Sequence, residues 1–148
     1  MIPNSDLFSE FTHAILRSSL ENLNIFGIEA VIAAYNESEE WLDELLIHLK
    51  GNAEYIHNYL KTNIPEVKMR LTEATYLGWL DFRELDLKGD ELTSFLINEA
   101  KLGLNEGKTF GLNGDGFMRL NYACPRQTLE EAMIRLDKAV KKVRINSN

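Results

Sequence analysis

Arg119 is the residue in this chain best suited to grip an anion, because a planar guanidinium can give a carboxylate two parallel hydrogen bonds, each contributing roughly 1.5–3 kcal/mol. It stands in the run Phe117-Met118-Arg119-Leu120-Asn121-Tyr122-Ala123. As a strand, this run sets Met118, Leu120 and Tyr122 on one face and Phe117, Arg119, Asn121 and Ala123 on the other. One face is then apolar and the other carries an arginine and an asparagine. Two readings stay open: the wet face of an edge strand, or a clamp for an anion.

Other chemistry is weaker. Gly107-Lys108-Thr109 has the ending of a phosphate-binding loop, with Gly103 upstream. The signature needs four residues between its glycines where this chain has three, and it needs a helix opening at the Lys-Thr so that backbone N–H groups converge on phosphate. Phe110-Gly111-Leu112-Asn113-Gly114 is a poor start for one. His48 and His57 lie nine residues apart in one expected helix, and His13 completes the inventory, so no metal site is expected. No serine, histidine and aspartate set converges. Asp81, Glu84, Asp86 and Glu91 read as solvated strand ends or helix-start charges. No catalytic residue is therefore expected in the chain.

The totals bound the partners. A chain of 148 residues favours one fold unit with a sizeable core. Its net charge of -7, with basic residues dispersed, argues against a nucleic-acid partner. The nearest basic cluster, Lys138, Lys141, Lys142 and Arg144, suits the C-terminal end of a helix. No apolar run approaches the ~20 residues of a membrane span. The single cysteine, Cys124, reads as buried filler and fits a reducing compartment. The expectation is a soluble, cytoplasmic protein with no membrane partner.

Periodicity places the elements. Asn4 or Ser5 caps a helix carrying Leu7, Phe8, Phe11, Ile15 and Leu16. A polar turn over Arg17–Asn24 leads to an apolar helix, Ile25–Ala34, apolar on too many sides to face water, and so buried either in this chain or against something absent from it. Asn36 with Glu39 reads as a capping box opening a long helix over 37–61. Its inner side holds Trp41, Leu42, Leu45, Leu46, Leu49, Ala53, Ile56 and Leu60. Pro65 stops it. Strands follow over Val67–Leu71 and Thr75–Phe82, the second apolar on both faces and therefore central. A short helix from Gly89-Asp90 comes next, then a strand at Leu102–Asn105 and an open loop with Asn113-Gly114 as its turn pair. After the Arg119 strand, Pro125 and then Thr128 with Glu131, another capping box, start the last helix, whose inner stripe is Leu129, Ala132, Met133, Leu136, Ala139, Val140 and Val143. The tail Asn146-Ser147-Asn148 is expected to fray. The order α-α-α-β-β-α-β-β-α implies an α+β fold: a small, mainly antiparallel sheet covered by helices and preceded by a helical arm.

Three stretches together carry a resemblance: Glu73-Ala74-Thr75-Tyr76-Leu77-Gly78-Trp79-Leu80-Asp81-Phe82, Gly107-Lys108-Thr109-Phe110-Gly111, and Gly114-Asp115-Gly116 running on to Pro125-Arg126. They resemble the small C-terminal domain of pyridoxal-phosphate enzymes of the aspartate-aminotransferase fold, on the branch of cystathionine β-lyase-like C–S lyases. Ala33-Ala34-Tyr35 and Glu40-Trp41-Leu42-Asp43-Glu44-Leu45 are similar to the family's long helix.

The resemblance implies that Arg119 binds the α-carboxylate of an amino-acid substrate, of the cystathionine or cysteine-conjugate class, and that Asn121 lies near the mouth of the site. It implies pyridoxal 5'-phosphate as cofactor, held by a large domain whose Schiff-base lysine, pyridine-pairing aspartate and phosphate loop have no counterpart here. The chain alone is then expected to be inactive, and lyase and aminotransferase chemistry stay undistinguished. Residues 1–36 would be an arm left from the junction with that large domain, and 37–148 the small domain. Ile2-Pro3-Asn4 looks like the tail of a strand, which suggests a cut point. A homodimer or larger assembly is expected, since the apolar arm would be exposed. The alternative is a free-standing α+β module binding small carboxylates or a partner.

Overall fold

The computed structural model describes residues 2–20, 24–87 and 89–146. Residues 21–23 of the expected polar turn, and Ser147-Asn148 of the expected frayed tail, lie outside them. Five helices and a four-stranded sheet follow the expected order: α1 (Ser5–Arg17), α2 (Ile25–Glu37), α3 (Glu39–Asn63), β1 (Lys68–Met69), β2 (Leu77–Asp81), α4 (Gly89–Asn98), β3 (Asn105–Glu106), β4 (Phe117–Asn121) and α5 (Arg126–Asn146). Contacts group the chain into Met1–Glu44 and Leu45–Asn148.

In the first unit, Asn4 caps α1 by accepting the N–H groups of Asp6 and Leu7 at 2.9 and 3.0 Å, and Asn24 caps α2 through Phe26 N–H at 2.9 Å. Capping satisfies donors that the first helical turn leaves orphaned. Neither helix has a buried residue. The α2 side chains Phe26 and Tyr35 are 83% and 87% exposed, so among the described residues nothing buries this apolar helix, which leaves the second of the two expected alternatives. The expected capping box is also displaced. Asn36 belongs to α2, which runs on to Glu37, and α3 starts at Glu39 with the Ser38 carbonyl accepting Leu42 N–H at 3.0 Å. The apolar helix simply continues past Ala34 and consumes the residue that would have capped the next one.

In the second unit the strand order is β1-β2-β4-β3, with every neighbouring pair antiparallel. Met69, Leu80, Met118, Leu120 and Tyr122 join Leu49, Ala53, Ile56 and Leu60 of α3, Leu92, Phe95 and Leu96 of α4, and Leu129, Ala132, Met133, Leu136, Ala139 and Val140 of α5 in one hydrophobic core. Burial of such apolar area is the main favourable term in folding. The inner residues on α3, α5 and β4 are those the periodicity selects, except that Trp41, Leu42 and Leu46 are exposed.

Strand boundaries differ from expectation for backbone reasons. The ladder of β1 is confined to Lys68 and Met69 because Val67 N–H is taken by Ile64 in the turn after α3. The third strand begins at Asn105, since Leu102 N–H still closes the end of α4 by bonding Leu96 O at 2.8 Å, with Lys101 left-handed at φ 55°. Strand β4 lies between β2 and β3 and is not an edge. The last helix starts at Arg126, immediately after Pro125, which needs no N–H partner.

Candidate functional site

The register of the sheet builds the site. Arg119 on β4 lies opposite Trp79 on β2 and Asn105 on β3. Alternation turns all three away from the core formed by Met118 and Leu120. Arg119 Nη2 donates to Asn105 Oδ1 at 3.0 Å. The loop after β3, two 3-10 turns over Gly107–Phe110 and Leu112–Gly114, brings Phe110 across the strands. Its ring lies 4.5 Å from Arg119 Cζ. A row of rings continues along the face: Phe110 edge-on to Trp79 with centroids 5.7 Å apart, Trp79 stacked on Phe117 at 5.7 Å, and Arg83 Cζ 4.6 Å above Phe117. Aromatic edges and cations over ring faces are both attractive arrangements.

The two arginines at the ends of this row differ electrostatically. Arg83 is neutralised by Asp81, with Nε to Oδ1 at 2.9 Å and Nη2 to Oδ2 at 2.7 Å. That fork holds the Asp81 carboxyl below the usual carboxylate range. Among the described residues no carboxylate pairs with Arg119. Arg119 is half-buried, and its Nε is buried without a hydrogen-bond partner. A half-buried cation with no carboxylate partner among the described residues favours an anion from outside, because its attraction is less screened than at a fully solvated surface.

Asn121 stands two residues along the same face, but its Oδ1 accepts Ala123 N–H at 2.9 Å in a local turn. Asn105, Phe110 and Trp79 escaped the sequence reading as site residues. Asn105 could have been found only by fixing the β3–β4 register, and Phe110 only from the shape of the loop.

The other candidates fall elsewhere. Lys108 of the Gly-Lys-Thr stretch is 3.3 Å from Asp115 Oδ1, and Thr109 Oγ1 donates to Glu106 O at 2.7 Å. His48 Nε2 lies 2.9 Å from Cys124 O, and His57 Nδ1 lies 2.7 Å from Met69 O. Cys124 is half-buried, and burial pushes its thiol pKa up. No cluster of three or more histidine, cysteine or acidic residues among the described residues is placed to hold a metal. No helix is long and apolar enough to cross a membrane among those described. Burial is one way a Schiff-base lysine is made a neutral amine, and every described lysine is exposed. The described lysines therefore do not fit the buried amine that would hold pyridoxal phosphate.

No protein-family model matches the sequence. The chain is 36% identical over 140 residues to the cystathionine beta-lyase PatB of Bacillus subtilis, covering 95% of this chain and 36% of the relative. It is 37% identical over 145 residues to the protein MalY of Escherichia coli, covering 97% and 37%. Among solved structures, cystalysin of Treponema denticola, which contains pyridoxal 5'-phosphate, superposes with a TM-score of 0.83 at 33% identity, over 97% of this chain and 36% of that one. The chain thus spans little more than a third of the length of these relatives. Likeness at this level over nearly every element, with the sheet and helices in the order found here, identifies the chain as a member of the fold-type-I pyridoxal-phosphate enzymes, on their cystathionine β-lyase branch, corresponding to the C-terminal small domain.

Proposed function

We propose that this chain supplies the substrate-carboxylate grip of a pyridoxal-phosphate-dependent C–S β-lyase or aminotransferase, acting on an amino acid of the cystathionine or cysteine-conjugate class. The observation that carries this reading is the Arg119 guanidinium, half-buried on the outer sheet face and lacking a carboxylate partner among the described residues. Arg119 binds the α-carboxylate, and Asn121, on the same face, lies at the rim. The cofactor, when bound by further polypeptide equivalent to the rest of the relatives' length, supplies an electron sink for the bonds at the substrate's α-carbon. The work of this chain is positional: a carboxylate fixed by a two-pronged arginine cannot swing, so the bond to be broken keeps one orientation.

The reading extends to assembly. The uncovered apolar side chains of α1 and α2 pack against the cofactor-bearing polypeptide, and the whole works as a homodimer in the cytoplasm. The boundary between arm and small domain falls near residue 36.

The test is to assay keto-acid release from L-cystathionine by the complete reading frame in which the chain occurs, by its Arg119→Ala variant, and by the chain alone. The expected result is turnover by the first, a 10- to 100-fold loss of kcat/KM in the second, and none by the third. Wild-type turnover in Arg119→Ala would overturn the role of Arg119. Saturable calorimetric binding of amino acids to a chain with no further coding sequence in frame would favour a free-standing carboxylate-binding module instead.

A further inference from the structure

We infer that Asn105 and Phe110 are positioning residues for Arg119, fixing the plane and the free edge of its guanidinium before a carboxylate arrives; the inference rests on the carboxylate reading above. A guanidinium has five N–H donors in a rigid fork and a stem with several rotatable bonds, so an unrestrained one loses much of its binding energy to ordering. Here the ordering is done in advance. Asn105 Oδ1 accepts from Nη2 at 3.0 Å, and the Phe110 ring lies beneath the group with its centroid 4.5 Å from Cζ. Asn105 is directly opposite Arg119 in the β3–β4 register, so its reach is set by the backbone. An amide at this position orients the cation without neutralising it, as a carboxylate would.

The loop that presents Phe110 is itself pinned. A Cβ at Gly107 would lie 2.3 Å from Gly114 O, and one at Gly114 would lie 2.1 Å from Gly107 O. The two ends of the loop therefore touch backbone to backbone, and the ring sits on a closed clip. Phe110 also meets Trp79 edge-on at 5.7 Å, which fixes it from the second side. The ring remains 52% exposed, more than a side chain placed only to fill the core would be.

The test follows the Arg Nε–Hε resonances of the 15N-labelled chain during titration with sodium acetate, against sodium chloride at equal ionic strength. Arg83 serves as internal reference, since Asp81 already occupies its fork. The expected result is a saturable shift of Arg119 alone in the wild type. Asn105→Ala and Phe110→Ala should each raise the half-saturating acetate concentration about tenfold. Phe110→Tyr should keep the wild-type midpoint, and Asn105→Asp should abolish the shift by filling the site from within. Phe110→Leu, which keeps bulk but has no ring face, should weaken binding even if the alanine variant fails to fold. Unchanged midpoints in Asn105→Ala and Phe110→Leu would overturn the positioning role while leaving the carboxylate reading intact. Absence of any acetate-specific shift of Arg119 in the wild type would overturn both.

Discussion

The guanidinium carbon of Arg119 lies over the ring of Phe110, 4.5 Å from Cζ to ring centroid, although one residue comes from the middle of a strand and the other from a loop. That contact depends on the loop keeping its shape. Gly107→Ala or Gly114→Ala would drive a methyl into backbone, with no flexible side chain to yield. Each should cost about 1–3 kcal/mol in urea unfolding, the range for overpacking a tight site, and should remove the Phe110 contact. Unaltered stability in both variants would show that the loop ends can part freely.

A second prediction concerns the amide of Asn52, fully buried in α3. Its Nδ2 donates to the carbonyls of Tyr122 at 2.9 Å and Cys124 at 3.0 Å, tying the helix to the chain just beyond β4. Asn52→Leu keeps much of the volume but leaves those carbonyls without this donor. A loss of about 2–3 kcal/mol is expected from equilibrium unfolding. A neutral result would mean that other donors or water replace the amide.

Acid should loosen the join between α5 and the turn after α3. Arg144 Nε donates to Glu66 Oε1 at 2.6 Å, and this bonding holds the Glu66 carboxyl below the usual glutamate range. A depressed folded pKa contributes stability that is fully present above the unfolded value of about 4.3 and disappears as pH falls through the folded value. With both side chains partly solvated, the contribution is about 1 kcal/mol at most. Glu66→Gln should therefore lose that amount at pH 7 and nothing at pH 2. Equal losses at both pH values would assign the effect to packing instead.

Assembly gives a fourth. Because α1 and α2 bury no residue in this chain, the isolated chain should sediment as dimers or larger species, and Phe26→Glu with Val31→Glu should shift it towards monomer. A clean monomer of the wild-type chain at tens of micromolar would count against an apolar docking face of consequence.

The nine-element order was legible because periods of 2 and 3.6 are local properties. Met118, Leu120 and Tyr122 alternate inward, and Leu129 to Val140 recur on one helical side, whatever lies around them. What was illegible depended on backbone groups meeting at a distance. Leu102 has a strand's pattern because nothing local announces that its N–H closes α4 onto Leu96. Asn36 has a cap's pattern because an apolar helix can end there as easily as it runs on to Glu37. Arg119 was visible as a lone cation between apolar neighbours. Asn105 was not, because its bond to Arg119 exists only once β3 is registered against β4.

The central claim is that Arg119 reads the negative charge of a substrate's α-carboxylate, and the most direct measurement compares that carboxylate with its uncharged α-carboxamide. In the complete enzyme containing this chain, kcat/KM for L-cystathionine should exceed that for its α-carboxamide by about 10- to 100-fold, the difference expected for a charge-assisted pair of hydrogen bonds. In Arg119→Ala the ratio should collapse to near one. A ratio that stays as large in Arg119→Ala as in the wild type would contradict the account.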